Sequence, residues 1–313
     1  MAISMNDLPD PIKSLSGSSI RPMLVELASR LAPRHGYNAT ALANVRLLRS
    51  EAVLQDVPVL YRPGAVFVLQ GAKRGILERE VYRYDEDHYL AVSVPVPFRM
   101  RSVASKDHPL IAVYVDFDMA LAGEIAAQVA EIKGVDSGRP KGLMSSRMDA
   151  GIEDVLLRLL TALGDPVEIA VLGQSLLREL HYRVLVGPQG GAMVAALRQT
   201  GAAGRIVQSL VRLRETYMGE VSVGDLAREA GMSIPSYHAH FRDLTGSSPM
   251  QYVKAMRLHE ARLKIAGNGT IAQAAASVGY ASAAQFSRDF KRHFGRTASD
   301  EAKWVHRHLG EAE

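Results

Sequence analysis

The sequence from Val221 to Ala298 contains the same helical pattern twice, joined by a third helical stretch. In the first copy, a short helix over residues 225–230 ends at Gly231, and a second helix is predicted from Ser236 to Leu244. Glycine suits a helix C-terminus because it tolerates a positive φ. Ser233 can cap the second helix by accepting hydrogen bonds from its first amides. This order of elements predicts a helix-turn-helix unit.

The second copy repeats that order, with a helix over residues 271–278, a turn at Gly279, Ser282 as N-cap and a helix from Ala283 to Phe294. Each second helix carries an apolar stripe at one-turn spacing, Tyr237, Phe241 and Leu244 in the first and Phe286, Phe290 and Phe294 in the second. The pattern over residues 249–266 predicts a third helix, which joins the two helix-turn-helix units. Two such units on one rigid helix are expected to reach two major-groove segments about 34 Å apart, one turn of B-DNA.

The open faces of both second helices carry polar side chains suited to nucleic acid. Amide and guanidinium groups pair bidentately with adenine and guanine, which makes Gln285 and Arg288 the first candidates for base contacts. Ser236 and His238 are further candidates on the first helix. Three basic side chains are expected to hold phosphates, which positions a protein without reading sequence: Arg242, Lys291 and Arg292.

Several of these segments resemble the DNA-binding domain of AraC/XylS-type transcriptional regulators. The matching segments are residues 231–233, 241–246, 248–252, 257–262, 275–280 and 285–295. The residues before them resemble, more loosely, the sensor region of one AraC subgroup. Three positions depart from the family pattern: Ala239 replaces an arginine, Ala284 is too small to bond a base, and Ala298 replaces a proline.

The resemblance implies a cytoplasmic, sequence-specific activator or repressor whose N-terminal cupin-like domain senses a small molecule. It implies double-stranded DNA, a second copy of the chain, RNA polymerase and an effector as partners, and no cofactor. A cupin-type enzyme with a helical assembly domain is the alternative function. A nonspecific architectural DNA-binding protein is a third possibility.

The fold class expected is α+β, with an antiparallel β-barrel and flanking helices followed by an all-α domain. Between residues 43 and 117, short apolar runs alternate with turn signals such as residues 71–75, as in barrels and jelly rolls. The 313 residues suggest two domains. We expect a flexible arm over residues 1–19, a sensor and dimerisation domain over 20–186, a linker over 187–203 and the DNA-binding domain over 204–313. Within the sensor domain, residues 134–142 are expected to be a linker. Leucine stripes on the two helices predicted after it, over residues 156–163 and 172–180, are expected to pack on the barrel and partly in a homodimer contact.

Charge and composition support this division. From Arg205 to the end there are 15 Lys and Arg against 11 Asp and Glu, whereas residues 1–204 have 22 of each. The positive excess therefore lies in the part predicted to meet phosphates. The chain has no cysteine, which excludes disulfide and zinc–thiolate sites. Neither a secretory signal nor a membrane span is predicted, and a cytoplasmic location is expected.

The barrel segment holds candidates for binding an anionic ligand. Arg79 and Arg83 are four residues apart, so on a strand they would share one face and grip an oxyanion together. The alternative is that these two arginines form ion pairs with Glu78, Glu80 or Asp85 on a solvent-exposed face. The wider candidate set is Lys73, Arg74, Arg79, Tyr82, Arg83 and Tyr89. No metal is expected, because His88 and His108 lie in predicted turns and no His-x-His pair occurs in this segment.

Overall fold

The computed structural model describes residues 20–133, 141–188, 190–197, 201–267 and 269–308. Residues 1–19, predicted to be a flexible arm, lie outside the described residues. Most of the linker predicted over residues 134–142 also lies outside them. Within the described residues, the N-terminal half consists of one helix, nine strands, a helix, a last strand and three helices, and the C-terminal half is helical. This arrangement confirms the α+β fold class with a cupin-like curled sheet.

Ten strands form one antiparallel sheet, in the order β1-β2-β9-β4-β7-β6-β5-β8-β3, with β10 paired to β7. The strands are β1 Gly36–Ala39, β2 Val45–Ser50, β3 Leu54–Tyr61, β4 Gly64–Gln70, β5 Ala72–Leu77, β6 Glu80–Asp85, β7 His88–Val92, β8 Val96–Val103, β9 Leu110–Asp116 and β10 Leu143–Arg147.

The helices of the N-terminal half are α1 Ile20–Leu31, α2 Met119–Lys133, α3 Ala150–Ala162, α4 Pro166–Val186 and α5 Gly190–Leu197. Those of the C-terminal half are α6 Gly201–Thr216, α7 Val223–Glu229, α8 Ile234–Thr245, α9 Pro249–Ala266, α10 Ile271–Ser277, α11 Ala283–Phe294 and α12 Ala298–His308. No described helix is long and apolar enough to cross a bilayer.

Strand β5 corrects the sequence analysis, which assigned residues 71–75 to a turn. Only Gly71 turns, with φ +84°, and the residues after it pair with both β6 and β8. Gly75 lies in mid-strand, where a Cβ would come 3.0 Å from the Phe98 ring. The two glycines have different tasks, a turn and a close approach, which the sequence alone does not separate.

The two faces of the sheet belong to two different hydrophobic cores. On β4, Phe67 packs into the core formed with α1 to α5, whereas Val66 and Val68 face the opposite core. This second core continues into the C-terminal half, where it includes Leu210 of α6 and Phe241 of α8. The curled sheet and the first helix-turn-helix unit are therefore packed against each other.

The leucine stripes of α3 and α4 were expected to pack on the barrel and partly in a homodimer contact. Leu156, Leu159, Leu160, Leu176, Leu177 and Leu180 are all buried within the chain. Leu172 remains exposed, together with Val167 and Val171 on the outer side of α4. The segment expected to be a linker, residues 187–203, contains α5 and the start of α6.

Candidate nucleic-acid interface and the adjoining cavity

Helix α8 has defined ends. The Ser233 side chain accepts from the Ser236 amide, Pro235 lies in the first turn, and Gly246 ends the helix in the left-handed conformation with φ +67°. These contacts satisfy backbone groups that a helix terminus otherwise leaves unpaired. Helix α7 precedes α8 and is capped in the same way by Ser222.

Helix α11 is built in the same way. Ser282 accepts from the Gln285 amide, and Gly295 ends the helix with φ +75°. The preceding helix α10 begins with a capping box, in which Thr270 and Gln273 exchange side-chain and backbone hydrogen bonds. That box has the Thr-x-x-Gln pattern of a helix start, a signal that the sequence analysis did not use.

Aromatic stripes hold both helices against the protein. Tyr237 and Phe241 of α8 are buried, and the Tyr237 hydroxyl lies 2.6 Å from the Ser209 hydroxyl of α6. On α11, Phe286, Phe290 and Phe294 are buried, and the last two ring centroids are 4.5 Å apart. Burying one face of each helix leaves its opposite face open.

The open face of α11 carries Gln285, Arg288 and Lys291, all exposed. Arg292 is exposed too, but its Nη2 lies 2.6 Å from Oδ1 of the buried Asp289. The same carboxylate oxygen is 2.7 Å from Lys254 Nζ of α9. Asp289 therefore fixes α11 to the joining helix and holds Arg292 at the rim of the open face.

The open face of α8 is smaller. Ser236 and His238 are half-buried, whereas Ala239, His240 and Arg242 are exposed. Arg242 Nε lies 3.9 Å from Glu78 Oε1, in the turn between β5 and β6. The sheet thus touches the C-terminal end of α8, and it also reaches α11, where Arg99 of β8 donates to the His293 carbonyl at 3.4 Å.

The predicted ligand residues do not converge. Arg79 lies in the turn before β6, so the prediction that Arg79 and Arg83 share a strand face was wrong. Arg83 forms an ion pair with Asp85, as the ion-pairing alternative predicts. Arg74 is exposed, Tyr82 donates to Glu80, and Tyr89 is buried on the helix-covered face of the sheet.

A cavity of about 250 Å³ lies between the curled sheet and the helical half. Its walls come from segments far apart in sequence: Tyr37, Arg46, Val59, Leu60, Tyr61, Arg62 and Pro95 from the sheet side, and Arg214, Met256, His259, Glu260, Arg262 and Leu263 from the helices. Four arginines and one glutamate give the lining residues a net positive charge, and Asp116 and Glu301 outside the lining pair with three of these arginines.

Two of these arginines keep unsatisfied donors. Arg262 pairs with Glu301 of α12 at 2.7 Å, and Arg46 Nη2 lies 3.2 Å from Asp116 Oδ1. Among the described residues, however, neither Arg46 Nε nor Arg262 Nη2 has a hydrogen-bond partner, and both atoms are buried. Burial also lowers the pKa of Arg262, with Glu301 opposing this shift. Buried donors without acceptors are unfavourable, so an anion in the cavity would stabilise them.

His259 of α9 lines the cavity and contacts His293 of α11. His259 Nε2 and His293 Nε2 are 3.3 Å apart. Burial lowers the pKa of His293 to about 4, with contributions from Arg99, Arg262 and Lys254, and it lowers the pKa of His259 in the same direction. Both imidazoles are therefore neutral at pH 7. Within the described ranges, no three His, Asp or Glu side chains converge as metal ligands would.

Two family profiles match the chain. Residues 41–192 match the profile described as AraC-type transcriptional regulator N-terminus, and residues 226–303 match a helix-turn-helix domain. The thermoregulatory protein LcrF of Yersinia pestis is 27% identical over 168 residues, 53% of this chain and 61% of that protein. The regulator ExsA of Pseudomonas aeruginosa is 29% identical over 125 residues, 39% of this chain and 44% of that protein. The chain thus spans less than two thirds of these relatives.

Among solved structures, ToxT from Vibrio cholerae, crystallised with an unsaturated fatty acid bound, has the same fold. The superposition has a TM-score of 0.59 at 14% identity and covers 90% of this chain and 100% of ToxT. The likeness in fold therefore extends over both halves of the molecule.

Proposed function

Since the chain belongs to the AraC family of transcriptional regulators, we propose that it is a ligand-responsive regulator that binds specific sequences in double-stranded DNA. Helices α8 and α11 enter successive segments of the major groove. The observation that carries this proposal is that both helices are capped at each end, buried along an aromatic stripe and open on a polar face.

Gln285 and Arg288 read base edges on α11, and Ser236 and His238 do so on α8. Lys291 and Arg242 bind phosphates, and Arg292 joins them when a phosphate replaces Asp289 as its partner. The Arg292 side chain is exposed, and Lys254 keeps the buried Asp289 carboxylate paired after the exchange. Ala239 and Ala284 are exposed but have no hydrogen-bonding side chain, which limits readout to their neighbours.

Two alanine variants test these roles on a duplex selected by the wild-type protein from a random pool. Arg288→Ala should weaken binding to that duplex by about 1–3 kcal/mol and relax the preference at one base pair. Lys291→Ala should weaken binding to all duplexes and reduce the slope of log affinity against log salt by about one. Lys106→Ala removes an exposed charge from a sheet loop and is the control.

Equal losses for Arg288→Ala on selected and unrelated duplexes would contradict base reading. An unchanged salt slope for Lys291→Ala would contradict phosphate binding. Equal affinity of the wild-type protein for all duplexes would favour the architectural alternative over a regulator.

The effector is proposed to be an organic anion bound in the cavity between the sheet and α9. The arginine lining and the two unsatisfied guanidinium donors support this choice. ToxT has been crystallised with an unsaturated fatty acid, so oleate is a reasonable first probe. A ligand there contacts both halves at once and shifts their arrangement only if it binds one arrangement better than another.

Calorimetric titration with oleate tests the cavity. Arg62→Gln removes a lining guanidinium and should weaken binding about tenfold, because a charge-assisted hydrogen bond contributes about 1.5–3 kcal/mol. Arg74→Gln is the matched control, since Arg74 is exposed on β5 and does not line the cavity. An equal effect of both substitutions, or absence of binding, would refute this assignment.

A second copy of the chain is proposed to pack on α4. Val167 and Val171 are 72% and 71% exposed, and they lie one turn apart on its outer face. Val171→Glu should convert a dimer to a monomer in sedimentation velocity, whereas an unchanged sedimentation coefficient would place the contact elsewhere. His88 begins β7 and contacts Asp85, and His108 is exposed.

A further inference from the structure

Lys73 is a charged residue buried inside the curled sheet. It lies on β5 and is 2% exposed. Its Nζ is 3.3 Å from the Tyr61 hydroxyl and within hydrogen-bond distance of the Tyr114 hydroxyl, and it lies 5.8 Å from the Tyr84 ring centroid. Across the described ranges, no carboxylate oxygen comes within 4.0 Å of Nζ. The amine is therefore surrounded by neutral phenols.

This environment disfavours the ammonium form. Burial lowers the pKa of Lys73 to about 7. Burial also raises the pKa of the Tyr61, Tyr84 and Tyr114 hydroxyls, so these phenols stay protonated and supply no counter-charge at neutral pH. A large fraction of Lys73 is consequently a neutral amine, the nucleophilic form, whereas an ordinary lysine is almost fully protonated.

The amine has space beside it. A small cavity of about 30 Å³ is lined by Lys73, Tyr37, Tyr61 and apolar side chains that include Leu48 and Val57. Tyr37 and Tyr61 also line the larger cavity between the sheet and α9. These tyrosines and Val59 therefore line both spaces, and a route to Nζ from the larger cavity would pass them.

We propose that Lys73 is a covalent site for a short-chain aldehyde or ketone, which it holds as an imine. The Nζ lone pair attacks the carbonyl carbon, the carbonyl oxygen takes a proton from a neighbouring tyrosine hydroxyl, and the nitrogen returns one of its protons to that tyrosine. The resulting carbinolamine loses its hydroxyl group and the remaining nitrogen proton together as one water molecule, leaving a carbon–nitrogen double bond. The reaction releases one water and uses no oxidant or reductant.

Three features suit this step: the amine is nucleophilic without a base, the phenols relay protons, and the size of the cavity restricts the substrate to small carbonyl compounds. A bulky anionic effector would remain in the larger cavity. The site goes beyond the proposed regulation and does not depend on DNA binding.

Reductive trapping tests the site in the full-length protein. Acetaldehyde and sodium cyanoborohydride at pH 7 convert an imine to a stable ethyl group, which peptide mass spectrometry locates. An exposed lysine with a pKa near 10.5 is neutral in only about one molecule in several thousand at pH 7. Lys73 should therefore be labelled at least about ten times faster than exposed Lys106 and Lys291, even after slower access to a buried site.

The pH dependence gives a second, independent readout. Labelling of an ordinary exposed lysine rises about tenfold per pH unit from 6 to 9, whereas labelling of Lys73 should level off above pH 7. Tyr61→Phe keeps the ring but removes a hydroxyl 3.3 Å from Nζ, and it should slow Lys73 labelling without changing Lys106. An unlabelled Lys73, or one with the pH profile of Lys106, would overturn the proposal.

Discussion

Alanine substitutions of Gly246 and Gly295 form a matched pair that tests whether the sheet packs against the first helix-turn-helix unit. Each glycine ends a candidate recognition helix in the left-handed conformation, with φ +67° and φ +75°. A Cβ on Gly246 would lie 2.6 Å from Cδ1 and 2.7 Å from Cγ of Leu77 on β5, whereas one on Gly295 would meet nothing within 4 Å.

The two alanine variants share the backbone penalty and differ in the clash. The left-handed conformation costs an alanine about 1–2 kcal/mol, which is the loss expected for Gly295→Ala. Overpacking typically adds about 1–3 kcal/mol, so Gly246→Ala should lose about 2–5 kcal/mol in total. Removing the obstructing side chain with Leu77→Ala should recover the second part in the double variant.

Urea unfolding followed by circular dichroism measures the free energy of unfolding for the four variants and the wild-type protein. The coupling between Gly246→Ala and Leu77→Ala should be favourable and about 0.5–3 kcal/mol. Equal losses at Gly246 and Gly295, with zero coupling to Leu77, would show that the sheet does not press on the end of α8.

Three further results are expected from the same unfolding assay. The pKa of His293 is about 4 in the folded protein, against an ordinary value of 6.5, so the unfolded chain binds this proton first as pH drops. The free energy of unfolding should therefore fall between pH 6.5 and pH 4. His293→Gln should flatten that decline, and an unchanged pH profile in this variant would contradict the role of His293. Asp289→Asn withdraws the buried charge that Lys254 contacts and should lose about 1–3 kcal/mol, whereas no loss would make that contact incidental. Phe290→Ala empties a fully buried site and should lose about 3–5 kcal/mol, and a loss below 1 kcal/mol would mean that the second unit is loosely packed.

Local signals predicted the DNA-binding half well. Ser233 and Ser282 cap helices, Gly246 and Gly295 end them, and aromatic residues one turn apart mark their buried faces. Each of these signals lies within a dozen residues of sequence, where backbone geometry and periodicity decide the structure. The bounds of α8 and α11 accordingly differ from the predicted bounds by at most two residues.

The candidate ligand site could not be predicted in the same way. Its cavity brings Arg46 and Arg62 of the sheet to Arg262 of α9, and nothing local in the sequence links these positions. The predicted pair, Arg79 and Arg83, failed because the chain turns at Arg79, so strand periodicity does not apply there. Lys73 was a ligand candidate, but its burial depends on β5 lying between β6 and β8.

Helices α8 and α11 are proposed to bind one face of the duplex in successive major-groove segments. Hydroxyl-radical footprinting of the full-length protein on its selected duplex tests this most directly. The wild-type protein should protect two patches about 10 base pairs apart. The double variant Gln285→Ala/Arg288→Ala should lose only the patch under α11. A single short patch, or loss of both patches together in that variant, would contradict it.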